Sequence, residues 1–277
     1  MPSNTSFAGQ VVLVTGSGRG IGRAIALHFA RNGADLIINF FRNRAPAENT
    51  AAEIRSLGRK AVLVKANIGD IDQLRHLFEV TQEQYGGLDI LIHNAASGYN
   101  RPAMQQKPKG WEWTMNINAR SLLFAAQQAA PLMQLRGGGA IVSISSPGST
   151  RVLPDYITVG ASKAAIETIT RYLAVELSPK HIVVNAISPG AVMTEALRHF
   201  DAIRSDAQII DRAIAYTPAG RLVKPEEVAQ VAAFLCSPAA NMIRGQIIIL
   251  DGGATLLGPG VYAQNKNSPG SFHPGSE

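Results

Sequence analysis

A single cysteine, Cys236, rules out an internal disulfide and fits a reducing compartment. No unbroken apolar run reaches the length of a membrane span. The opening residues, MPSNTSFAGQ, have neither the basic start nor the apolar stretch of a signal peptide. Acidic residues are the minority charge: 26 Lys and Arg against 20 Asp and Glu give a net charge of +6. Dense basic runs are nonetheless missing apart from FRNR at Phe41–Arg44. A nucleic-acid partner would want clustered cations with exposed aromatics, so none is expected, and no membrane partner either. The six histidines lack ligand spacing, which leaves no metal pattern. SISSPGS has no histidine base placed by pattern, so a serine hydrolase is excluded as well. Disorder is excluded for most of the chain, because 46% of its 277 residues are hydrophobic and only 17% charged. What these absences leave is a soluble, cytoplasmic globular protein.

What is present is a regular alternation. Gln10–Thr15 (QVVLVT) reads as a buried strand, and Ile21, Ile25 and Phe29 then recur at helical spacing until Asn32-Gly33 supplies a stop. Further strands are expected at Asp35–Phe40, Ala61–Ala66, Leu88–His93, Ala140–Ile144, Ile182–Ile187 and Gln246–Leu250. Between them fall helices at Ala45–Leu57, Asp70–Tyr85, Trp111–Leu135, one ending near Leu177 and one around Pro225–Cys236. Strands separated by helices pair in parallel through right-handed crossovers. The expected fold is therefore α/β: a single-domain, doubly wound Rossmann sheet of about seven parallel strands with helices on both faces, over residues 1–257. Thr194–Tyr216 is helical in pattern where a mobile cover could sit. Residues 258–277 form a Gly/Pro/Ser-rich tail, expected to be disordered or draped over a neighbouring subunit.

Thr15-Gly16-Ser17-Gly18-Arg19-Gly20-Ile21-Gly22 lies where the first strand meets the first helix. Glycines there let the chain turn sharply and bring backbone N–H groups to a pyrophosphate at the helix N-terminus. An NAD site usually adds an acid about 20 residues on, to accept from the ribose 2′-OH. The corresponding stretch, Asn39-Phe40-Phe41-Arg42-Asn43-Arg44, has none. Arg42, beside Asn43 and joined by Arg19, could instead grip a 2′-phosphate with charge-assisted bonds; the alternative is that both arginines are merely solvated. The expected cofactor is NADPH.

From Gly9 to about Leu257 the sequence resembles a short-chain dehydrogenase/reductase. The motifs come in family order: TGSGRGIG at Thr15–Gly22, NAAS at Asn94–Ser97, Asn118 in MNINARSLLF, Ser146 in SISS, Lys163 in ASKAA, and Ser188-Pro189-Gly190 with Thr194. One position departs from the pattern. Ordinary members place a tyrosine four residues before the lysine, and that position here is Val159. The nearest upstream tyrosine is Tyr156, seven before Lys163. That spacing, with the wording NAASG, RPAM, WEWTMNINA and YITVGASKAA, is similar to the NADPH-dependent enoyl-acyl-carrier-protein reductase III branch.

The spacing has a physical reason. In ketone reduction the hydride lands on the carbon that bears the oxygen to be protonated. In enoyl thioester reduction it lands on Cβ, and charge develops on the thioester oxygen three bonds away. The donor must therefore sit farther from the nicotinamide, and three residues along a helix shift a group by roughly 4.5 Å.

The resemblance implies roles. Tyr156 would donate to the enolate oxygen, and Lys163 would hold the nicotinamide ribose and place positive charge near the phenol. Asn118 would support a water path to the lysine. Ser146 either orients substrate or is a strand-end hydroxyl. Asn94 and Ala95 would flank the adenine-side ribose, Asn67 and Ile68 the adenine, and Pro189, Gly190 and Thr194 the nicotinamide amide. Ala161, Ala165, Ile169, Leu173 and Leu177 form an i+4 apolar row on a helix that meets its mate in another subunit of family members, so a homotetramer is expected. The implied reaction is reduction of trans-2-enoyl thioesters in fatty acid synthesis, on acyl carrier protein or coenzyme A. Carbonyl reduction of ketoacyl thioesters is the nearest alternative, and a non-catalytic NADP(H)-binding protein a more distant one. Arg198 and Arg204 are candidates for docking an acidic carrier.

Overall fold

The computed structural model describes residues 6–194 and 209–257. Seven strands form one parallel sheet in the order β3-β2-β1-β4-β5-β6-β7. They are β1 (Val11–Val14), β2 (Asp35–Phe40), β3 (Ala61–Lys65), β4 (Ile90–His93), β5 (Gly139–Ile144), β6 (Ile182–Pro189) and β7 (Ile247–Leu250). The helices described are α1 (Gly20–Arg31), α2 (Arg44–Ser56), α3 (Ile71–Tyr85), α4 (Pro108–Met115), α5 (Ser121–Gln134), α6 (Ile157–Glu176), α7 (Ile209–Ala215) and α8 (Pro225–Leu235).

Successive strand residues face opposite sides of the sheet, and here both sides are covered. Val12 and Val14 of β1 join Ile25 and Phe29 of α1, Ile54 of α2 and Val228 of α8 in one core. Val11 and Leu13 join Leu74 and Leu77 of α3, Leu122 of α5 and Ile166 of α6 in the other. Burial on both faces is why these strands read as continuous apolar runs. Strand order runs outward from β1 in both directions, so a crevice opens at the carboxyl ends of β1 and β4.

Two expectations change. The helix foreseen at Trp111–Leu135 begins at Pro108 and is interrupted by a π-turn at Asn116–Arg120 between α4 and α5. Apolar periodicity does not reveal a turn widened by one residue. The cover expected at Thr194–Tyr216 is described only at Thr194 and from Ile209 onward. Arg198, Arg204 and the tail 258–277 lie outside the described residues. Among the described residues no helix is long and apolar enough to cross a membrane.

Candidate active site

The turn from β1 into α1 is fixed from three neighbouring strands. Gly16 has φ +65, and a Cβ there would come to 3.0 Å from Ala95, so the loop passes tightly over the end of β4. Thr15 Oγ1 accepts from the amides of Asn94 and Ala95, both at 3.0 Å. Asn39, buried at the end of β2, accepts from the Gly16 amide at 3.2 Å and donates to Ala66 O at 3.1 Å. The loop is therefore held rigidly before any ligand arrives.

Beyond it lies a cleft of about 420 Å³, lined by Gly16, Arg19, Gly20, Ile21 and Gly22, then Arg42 and Asn43, Asn67 and Ile68, and Asn94, Ala95 and Thr194. α1 starts without a side-chain cap and without an acid in its first turn, so its first amides remain available as donors. Among the described residues no Asp or Glu lines the cleft, while Arg19 and Arg42 do. This donor set suits an extended, multiply anionic ligand; a dinucleotide with a 2′-phosphate fits it.

Three expected cofactor residues have side chains bonded within the protein. Ser17 is buried, and its hydroxyl turns inward to Val14 O at 2.8 Å. The Asn94 amide donates to Thr15 O at 2.9 Å and so ties β4 to the glycine loop. Asn67 lines the cleft, but its side-chain oxygen accepts from the Gly69 amide at 3.1 Å. Pro189 ends β6, and the following Gly190 amide donates to Leu250 O at 2.9 Å; neither lines the cleft. Gly190 packs on Asp251, where a Cβ would come to 2.9 Å from the aspartate Cβ.

On the other side of the crevice, the segment after β5 and the start of α6 bring Tyr156 to Ser146, with Lys163 one turn or more farther along α6. Lys163 is buried on α6 and donates to Ile144 O at 2.7 Å; burial pulls its pKa down to about 8. Tyr156 immediately precedes α6, and its hydroxyl donates to Ser146 Oγ at 3.5 Å. Its ring lies against Gly148, where a Cβ would come to 2.6 Å from the ring. Burial raises the phenol pKa, and the Ser146 contact opposes that shift. Asp155, at φ +59, makes the turn that aims Tyr156, and its carbonyl accepts from the Arg101 amide at 2.8 Å.

Val159, where the ordinary family tyrosine would stand, is buried against Gly98. Asn118 sits in the π-turn, fully buried. It accepts from the Ser97 amide at 2.9 Å and donates to Ser97 O and to Ser162 Oγ, both at 2.9 Å. Its direct partners are thus the loop after β4 and α6, one residue from Lys163.

Sequence reasoning missed several residues here. Asn39 fixes the loop, and Phe41 and Trp113 line the cleft beside Arg42. Only the WEWTMNINA wording touched Trp113, and a single chain offers no signal that places it opposite β2. Gly148 and Asp155, which position the Tyr156 ring, were hidden for the same reason.

The chain matches a family model described as Enoyl-(Acyl carrier protein) reductase over residues 16–255. It is 36% identical over 261 residues to a hydroxynaphthalene reductase-like protein of Metarhizium anisopliae, covering 90% of this chain and 96% of that one. It is 35% identical over 257 residues to 1-cyclohexenylcarbonyl-CoA reductase of Streptomyces collinus, covering 92% and 90%. Among solved structures it resembles a gluconate 5-dehydrogenase from Burkholderia cenocepacia in complex with NADP and tartrate. That match has a TM-score of 0.84 and 32% identity, over 91% of this chain and 98% of the other.

Proposed function

The chain belongs to the short-chain dehydrogenase/reductase family of oxidoreductases, and from that premise we propose that it reduces the double bond of 2-enoyl thioesters with NADPH. The observation that carries this reading is the exchange at the start of α6. Val159 is apolar and buried, while the Tyr156 phenol, three residues earlier, reaches Ser146. A donor displaced along the chain suits an oxygen remote from the carbon that is reduced. The likeness to a reductase of an unsaturated acyl-CoA and to the enoyl reductase family model supports the same direction. The carrier is coenzyme A or acyl carrier protein.

When bound, the reduced nicotinamide would supply a hydride to Cβ, and a proton from solvent would complete the reduction at Cα. Tyr156 donates a hydrogen bond to the thioester oxygen as negative charge builds there; burial keeps the phenol protonated at neutral pH. Ser146, within reach of the same hydroxyl, orients it or the substrate. Lys163, while protonated, places a positive charge under the site that stabilises the same developing anion. The arginines and first-turn amides of the cleft would hold the phosphates, and a lining with no carboxylate among the described residues favours NADPH over NADH.

One observation favours a second reading. Tyr156 and Ser146 converge on one point, and such a pair can also protonate a carbonyl oxygen, as hydroxynaphthalene-type reduction would require. Initial rates with crotonyl-CoA and acetoacetyl-CoA, each with NADPH, separate the two. Faster turnover of the enoyl substrate is expected; turnover of the ketone alone would overturn the proposal.

A further inference from the structure

Arg42 does not stand alone at the cleft. Its guanidinium carbon lies 5.5 Å from the centre of the Trp113 ring and 5.8 Å from that of Phe41. The two rings are themselves 6.5 Å apart, tilted at 45°. Trp113 comes from α4, across the cleft from β2, and its orientation is fixed: the indole N–H donates to Ser97 Oγ at 2.9 Å. Phe41, Arg42, Ser97 and Trp113 all line the same cleft, and among the described residues no carboxylate lines it beside the guanidinium. Arg42 itself is exposed, so without a platform its long side chain would sample many rotamers.

We propose that Trp113 is a positioning residue for cofactor choice: it holds the Arg42 guanidinium over the cleft, and thereby sets the preference for a dinucleotide carrying a 2′-phosphate. The inference rests on the NADPH reading and deepens it. An arginine stacked on an indole keeps its N–H edge free for an anion, because the ring occupies only the flat face. Part of the ordering of that side chain is then complete before the phosphate binds. The Ser97 hydrogen bond ties the platform to the loop that Asn118 also holds, so the two ends of the site share one support.

The test is binding without substrate. Dissociation constants for NADPH and NADH are measured by calorimetry on the full chain, for the wild type, Trp113→Leu and Trp113→Phe. The expected result is a loss of about three- to fivefold in NADPH affinity for Trp113→Leu, with NADH within about twofold and Trp113→Phe in between. Because Trp113→Leu could lose its fold, emission of Trp113 is also followed in a Trp111→Phe background. Adenosine 2′,5′-bisphosphate should change that emission at concentrations where 5′-AMP does not. Equal weakening of both dinucleotides, or no emission change with the bisphosphate, overturns the role of Trp113 while leaving an NADPH-dependent enzyme intact. A wild-type preference for NADH overturns both.

Discussion

Val159 packs against Gly98 so closely that a methyl group on the glycine would land on the valine side chain and come within 3.5 Å of Thr114. The apolar residue at the ordinary tyrosine position is therefore part of a fitted contact between α6 and the loop after β4. Gly98→Ala is expected to destabilise the protein by about 1–3 kcal/mol through overpacking. Val159→Ala in the same chain should recover most of that loss. Thermal unfolding of the two single variants and the double variant reads the coupling; strictly additive effects would argue against the contact.

Removing the Tyr156 hydroxyl should strike chemistry and spare binding. For Tyr156→Phe, kcat is expected to fall about 10²–10³-fold, the usual cost of losing one donor to a developing oxyanion. The dissociation constant for NADPH should stay within about twofold, which calorimetry checks. Gly148→Ala presses on the same ring, whose edge lies 2.6 Å from the added carbon position. It should lower kcat by a smaller factor, even though the hydroxyl is retained.

Lys163 offers a pH test with two opposite signs. Its folded pKa, about 8, lies below the ordinary lysine value of 10.5 because the amine is buried. Between those values the unfolded chain binds more protons than the folded one. The stability of the free protein should therefore rise from pH 8 towards 10.5, by at most roughly 3 kcal/mol. NADPH affinity should fall over the same rise through pH 8, as the positive charge leaves the site. Lys163→Met should remove both trends, followed by chemical denaturation and calorimetry across that range.

His93 predicts acid sensitivity. It is buried at the end of β4, its Nε2 is 2.7 Å from Ser121 Oγ, and its Nδ1 has no partner. Burial, and then the charge of Lys163, hold its pKa down to about 3, against an ordinary 6.5. The unfolded chain thus takes up this proton first. The contribution of a neutral His93 is fully present above pH 6.5 and is lost as pH falls towards 3, on the order of 4 kcal/mol. His93→Asn should show a shallower fall of Tm between pH 7 and 4 than the wild type. Parallel curves would refute the assignment.

The sheet was legible because its signals are local. Each strand is a short run such as VVLV or IVVNAISP, and several helices carry their own stop, as at Asn32-Gly33. The glycine loop and Lys163 were legible from their order in the chain. Partners that meet only after folding were not. Asn39 supports Gly16 from 23 residues away, and Trp113 meets Arg42 from another element altogether. Hydroxyl direction was equally hidden: Ser17 sits in the motif, yet its side chain serves β1. The displaced tyrosine could be counted from the sequence, but its approach to Ser146 depends on the Asp155 turn and the space left by Gly148.

The widened turn at Asn116–Arg120 inserts a phase slip of roughly 100° into an otherwise continuous helical rod. Residues upstream, Trp113 among them, address the cofactor groove, while Leu122 and Ala126 downstream address the core beneath the sheet. Excising a single residue there would leave the rod intact but rotate one half against the other. Either the indole would swing away from its groove, or the downstream seam would lose its seat. Chain length in this short stretch is thus as much a specification of the site as any side chain within it.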